Sequence, residues 1–78
     1  MRDCPQELKK MGTLFRGLRL RKGWTLEETE EHGWHDWKYL QKIESGRNIT
    51  MSTFFKLCEL YGAQPEKILK ALDVALRS

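Results

Sequence analysis

An all-α domain of five short helices is the fold class this sequence predicts, on three observations. Apolar residues recur at helical spacing, and no stretch alternates as a half-buried strand would. Helix-starting residues precede each run: Pro5, Thr25 with Glu28, Asp36, Thr50 and Pro65. Glycines close them, at Gly23, Gly33, Gly46 and Gly62. The 78 residues make one domain, 1–78, and a chain of this size folds without staples.

The first helix opens at Pro5, with Asp3 or Cys4 before it, because proline suits a first turn. Met11, Leu14, Phe15 and Leu18 fall at i, i+3, i+4 and i+7 and form one apolar stripe. Arg21 and Lys22 favour its C-terminal end, and Gly23 stops it. Gly12 inside it points to close packing; Gly17 has no reason visible in the sequence. Thr25 and Glu28 form a capping box for a second helix over about Leu26 to His32. Its only strong apolar residue is Leu26, so Trp24 and Trp34 must supply much of the local burial. Asp36 caps a third helix that turns Tyr39, Leu40 and Ile43 inward before Ser45-Gly46. Thr50 caps a fourth, with Met51, Phe54, Phe55, Cys58 and Leu60/Tyr61 as its apolar positions, up to Gly62. Pro65 opens the fifth, EKILKALDVALRS.

A composition 40% hydrophobic and 32% charged is that of a folded soluble protein. No run approaches the ~20 apolar residues of a membrane span, and the N-terminus lacks a signal-peptide core. Cys4 and Cys58 are far apart and fit no metal spacing, which favours a reduced, cytoplasmic protein. His32 and His35 straddle a glycine turn and offer no stable ligand face, so no metal is expected. With no phosphate-cradling loop and no nucleophile–base motif, neither catalysis nor a cofactor is expected.

The net charge of +3 is unevenly spread. Residues 1–24 carry seven Lys/Arg against Asp3 and Glu7, while residues 25–34 carry four Glu and no base. Two short capped helices around a glycine turn, next to a basic segment, make a unit able to set one helix in a DNA major groove.

Three stretches carry a family likeness: MGTLFRGLRLRKGWT (11–25), YLQKIESGRNIT (39–50) and FFKLCELYGAQPEKIL (54–69). Across Met11 to Leu69 the chain resembles the Cro/repressor-type, or XRE, helix-turn-helix domain of phage and bacterial regulators, with 70–78 as a helical extension. The likeness rests on the joint spacing of Arg19, Gly23, Ile43-Glu44, Gly46, Gly62 and Ile68-Leu69. It implies an ion pair between Arg19 and Glu44 with a structural role. Gapless alignment would set Glu30 at the inward position of the second helix and Trp34 at the turn glycine. A local slip resolves this: Thr29 becomes the small inward residue, Gly33 the turn glycine, and Trp34 the apolar residue after it.

By position, the resemblance exposes His35, Trp37, Lys38, Gln41 and Lys42 on the third helix. Lys suits guanine O6/N7 and Gln suits adenine N6/N7, so Lys38, Gln41 and Lys42 are expected at base edges. Trp37 joins them if its ring meets a thymine methyl or sugar; folding back over the second helix is the alternative. Phosphate contacts are expected from Thr25, where free amides suit an anion, and from Arg16, Arg47 and Asn48. The four glutamates must then face away from the duplex.

The fifth helix carries more apolar surface than the core requires, which leads to an expected homodimer through Ile68, Leu72, Ala75 and Leu76. The expected function is sequence-specific binding of double-stranded DNA at an inverted repeat, as a bacterial or phage transcriptional regulator. The rival is a protein-interaction module or antitoxin on the same fold, whose protein partner meets Trp34, Trp37 and the acidic second helix.

Overall fold

Pro5, Thr25 with Glu28, Asp36, Thr50 and Pro65 start the helices, and together with the glycines they set the order of elements. The computed structural model describes residues 4–77: α1 (Pro5–Lys22), a 3₁₀ helix η1 (Glu27–His32), α2 (Trp37–Glu44), α3 (Met51–Tyr61) and α4 (Pro65–Arg77). Five helices and no strand are present among the described residues. Asp3, a candidate cap for α1, lies outside them, and Cys4 occupies the position before Pro5. No described helix is long and apolar enough to cross a membrane.

The caps are local and specific. Asp36 accepts from the amides of Lys38 and Tyr39 at the start of α2, and the Thr50 hydroxyl accepts from the Thr53 amide at the start of α3. Thr25 and Glu28 close the capping box in both directions, at 2.9 and 3.1 Å. The helix they open is 3₁₀ rather than α. Its sequence is EETEEH, four like charges in six residues, and its turns close through i→i+3 bonds from Thr29 to Leu26 and Gly33 to Glu30.

α1 is the central helix, packing on α2, α3 and α4, while η1 packs on α2. Phe15 is fully buried at its middle, edge-on to Phe54 at 5.9 Å and beside Tyr61 at 6.5 Å. Leu40, Ile43, Leu57, Cys58, Trp34 and Ile68 complete the core. The deepest side of α1 is not its apolar stripe: Gly12, Phe15 and Arg19 are buried, whereas Met11, Leu14 and Leu18 are half-buried. On α3 the inward residues are Phe54, Leu57, Cys58 and Tyr61, a regular i, i+3, i+4, i+7 set. Phe55, expected inside, lies off that stripe and is exposed; Met51, also expected inside, is exposed at the first position of the helix.

The turn between η1 and α2 follows the slipped register. Gly33 sits at φ 107°, a left-handed conformation that side chains other than glycine rarely take. Thr29 is fully buried and Trp34 nearly so, with the indole Nε1 donating to the Asp36 carbonyl at 2.7 Å. Glu30 stays at the surface.

Gly12 and Gly17 behave oppositely. A Cβ on Gly12 would meet the carbonyl oxygens of Ile43 and Glu44 at 2.5 and 2.6 Å, so only glycine lets α1 approach the end of α2. A Cβ on Gly17 would meet nothing within 4 Å. Gly12→Ala is therefore expected to destabilise the domain by about 2 kcal/mol or more through overpacking. Gly17→Ala should stabilise it by up to about 1 kcal/mol through helix propensity. Urea unfolding of the two variants checks both signs; equal shifts would contradict the packing described for Gly12.

Candidate nucleic-acid interface

The outer face of α2 is held in position from behind by one ion pair. The Arg19 guanidinium grips the Glu44 carboxylate with two bonds, Nε to Oε2 at 2.8 Å and Nη2 to Oε1 at 3.0 Å. Its Nη1 donates to the Trp24 carbonyl at 2.8 Å. Both side chains are nearly buried, at 8% and 7% exposure. One planar cation thus ties together α1, the chain entering η1 and the last residue of α2. The hydrogen bonds that Arg19 donates to Glu44 raise the Arg19 pKa above its ordinary value. Burial, with Glu44 nearby, pushes the Tyr61 phenol well up, so its hydroxyl stays protonated.

On the opposite side of α2, Lys38, Gln41 and Lys42 are all exposed. Their i, i+3, i+4 spacing puts them on one side of the helix, with Ser45 continuing the row. Two surface depressions show which other residues join them. One, of about 270 Å³, lies between α1 and α2 and is lined by Arg16, Leu26, Gln41 and Ser45 with the ion pair beneath. The second, of about 480 Å³, is lined by Gln41, Lys42, Ser45, Gly46 and Arg47. Gln41 belongs to both, so Arg16, Gln41, Lys42 and Arg47 make one continuous surface. Asn48 is exposed in the loop just beyond Arg47.

Trp37 is half-buried and is not among the side chains packed on the core. Its ring lies under the Lys38 ammonium at 6.0 Å. His35, expected on the α2 face, precedes the helix instead and packs by Trp34 and Tyr39, bordering a hollow with His32, Lys56 and Glu59. His32 stacks on Trp24 at 3.8 Å. No group of three His, Cys, Asp or Glu that could hold a metal ion occurs among the described residues.

The N-terminal ends of both helices of the unit are occupied by carboxylates of this chain. The amides of Thr25 and Glu28 are engaged in the capping box, which lowers the Glu28 pKa, and Thr25 acts there as a cap with an anion beside it. The Thr25 amide is thus taken up by Glu28. At α2, Asp36 takes the Lys38 and Tyr39 amides, and Glu30 reaches back to accept from the Trp37 amide at 2.9 Å. The Glu30 contact was missed because it spans seven residues and a turn, a spacing with no sequence signal.

Of the four residues expected at a dimer interface, Ile68 is in the core at 6% exposure, Leu72 and Ala75 are half-buried, and Leu76 is exposed. Ile68 is thereby removed from the expected surface, because it closes the domain's own interior. Leu69 and Val74 are more exposed than any of the four, at 47% and 62%.

A helix-turn-helix family model matches residues 15–68, the span from the central Phe15 to the core residue Ile68. An uncharacterized HTH-type transcriptional regulator of Sinorhizobium fredii (strain NBRC 101917 / NGR234), y4dJ, is 33% identical over 66 residues, covering 83% of this chain and 86% of the relative. No solved structure matches the chain significantly.

Two outcomes follow from this geometry. Glu44→Gln leaves the Arg19 charge buried without its counter-ion and should cost about 3–5 kcal/mol in urea unfolding. Arg19→Met combined with Glu44→Leu should cost clearly less than the sum of the single changes; strict additivity would contradict a coupled buried pair. The Glu28 carboxyl should titrate below the ordinary value of 4.5. Its capping contribution is full above that value and is lost as pH falls through the depressed one. A carbon-detected NMR titration with Glu28 at or above 4.5 would contradict the reciprocal cap.

Proposed function

The chain belongs to the Cro/repressor-type helix-turn-helix family, and we propose that it is a sequence-specific, double-stranded DNA-binding transcriptional regulator. The observation that carries this reading is the continuous exposed surface of Arg16, Gln41, Lys42 and Arg47, backed by the buried Arg19–Glu44 pair. α2 enters the major groove, where Lys38, Gln41 and Lys42 reach base edges. Trp37, beside Lys38, adds an apolar contact to a thymine methyl or sugar. Arg16, Arg47 and Asn48 take phosphates and fix the register.

Asp36 and Glu30 hold the first amides of α2, so the side chains of Lys38, Gln41 and Lys42, rather than free amides at its start, supply the contacts of this helix. Glu28 and Glu30 support this arrangement by being bound internally, to Thr25 and Trp37. Dimerisation uses α4, through Leu69, Leu72 and Leu76 at i, i+3, i+7. A twofold dimer matches an inverted repeat with half-sites about one turn, ~34 Å, apart.

Fluorescence anisotropy with the preferred duplex and a scrambled one tests these roles. Lys42→Ala and Gln41→Ala should erase about 1–3 kcal/mol of preference between the two. Arg47→Ala should weaken both alike and reduce the salt slope by about 1. Equal effects of all three variants on both duplexes would refute the assignment. Sedimentation showing a monomer at micromolar concentration, with and without DNA, would remove the dimer.

A further inference from the structure

The groove between α1 and α4 lies on a side of α1 that the DNA surface does not use, and it has the make-up of a ligand site. It holds about 480 Å³, within the range of small-molecule pockets. Leu14, Leu18 and Ala71, all half-buried, supply apolar walls, and Gly17 forms part of its lining. Gly17 is not needed by the fold. It has no left-handed φ, no neighbour that a Cβ would touch, and a cost near ~1 kcal/mol inside a helix. What its missing side chain does is leave the groove open.

One end of the groove is cationic. Trp24, just past α1, lies against Tyr61 at the end of α3, so α4 begins beside the end of α1. Arg21 and Lys67 line the groove at that end, both exposed, and neither enters an ion pair among the described residues. An apolar trough with two cations at one end complements a molecule with a hydrocarbon body and a single negative head.

We propose that this groove binds a small carboxylate with an apolar body, the hydrocarbon against Leu14, Leu18 and Ala71 and the carboxylate at Arg21 and Lys67. The site is separate from the DNA surface, so its test needs no DNA. The full chain, labelled with ¹⁵N, is titrated with decanoate below its micelle-forming concentration, and in parallel with decanol. Decanoate should produce saturable shifts at Thr13, Gly17, Gly62 and Lys67, and decanol much weaker ones. Gly17→Leu, which grows into open space, should abolish binding, and Arg21→Glu with Lys67→Glu should weaken it at least about tenfold while leaving the circular dichroism native. Shifts that fail to saturate, or that persist unchanged in Gly17→Leu, overturn the site. Decanol binding as tightly as decanoate, or charge reversal without effect, overturns the carboxylate assignment.

Discussion

The Arg19–Glu44 pair is the constraint on which the rest of the domain depends. It is a bidentate polar link between α1 and α2, and it also holds the Trp24 carbonyl where the chain leaves α1. Leu40 and Ile43 give α2 its depth in the core, Gly12 lets α1 approach closely, and the bidentate pair fixes how the end of α2 sits against α1. Buried charge is costly when alone and tolerable only when paired. The pair therefore gives the docking of α2 a sharper penalty for misplacement than apolar packing alone would give.

The same economy of charge governs the surface. Four glutamates next to a basic helix look like an obstacle to any anionic partner. Two of them are tied down inside the chain, Glu28 on the Thr25 amide and Glu30 on the Trp37 amide. Each sits at a helix N-terminus, where a negative group is favoured. Positive and hydrogen-bonding groups gather at the other end of α2, around Gln41, Lys42 and Arg47. The carboxylates of Glu30 and Asp36 cap the start of α2, and Lys42 and Arg47 lie around its end.

Much of this was legible in the sequence because caps and turns are local chemistry. Thr25 with Glu28, Asp36, Thr50 and Gly33 acted as their residue types dictate, and the buried Thr29 and Trp34 follow from moving the turn glycine to position 33. What escaped was decided by neighbours rather than by spacing. The half-buried state of the α1 stripe residues Met11, Leu14 and Leu18 is not marked by their spacing, and Leu57 is buried where Phe55 was expected. The reach of Glu30 across the turn, the removal of Ile68 from the α4 surface and the open space at Gly17 are facts of packing, visible only once the helices are assembled.

Selection of bound sequences from a random duplex DNA pool at near-physiological salt tests the central claim most directly. Enrichment of an inverted repeat is expected, with half-sites about one helical turn apart and the sharpest preferences at the few positions facing Lys38, Gln41 and Lys42. A pool that stays random after repeated selection, while the protein remains folded, would contradict it.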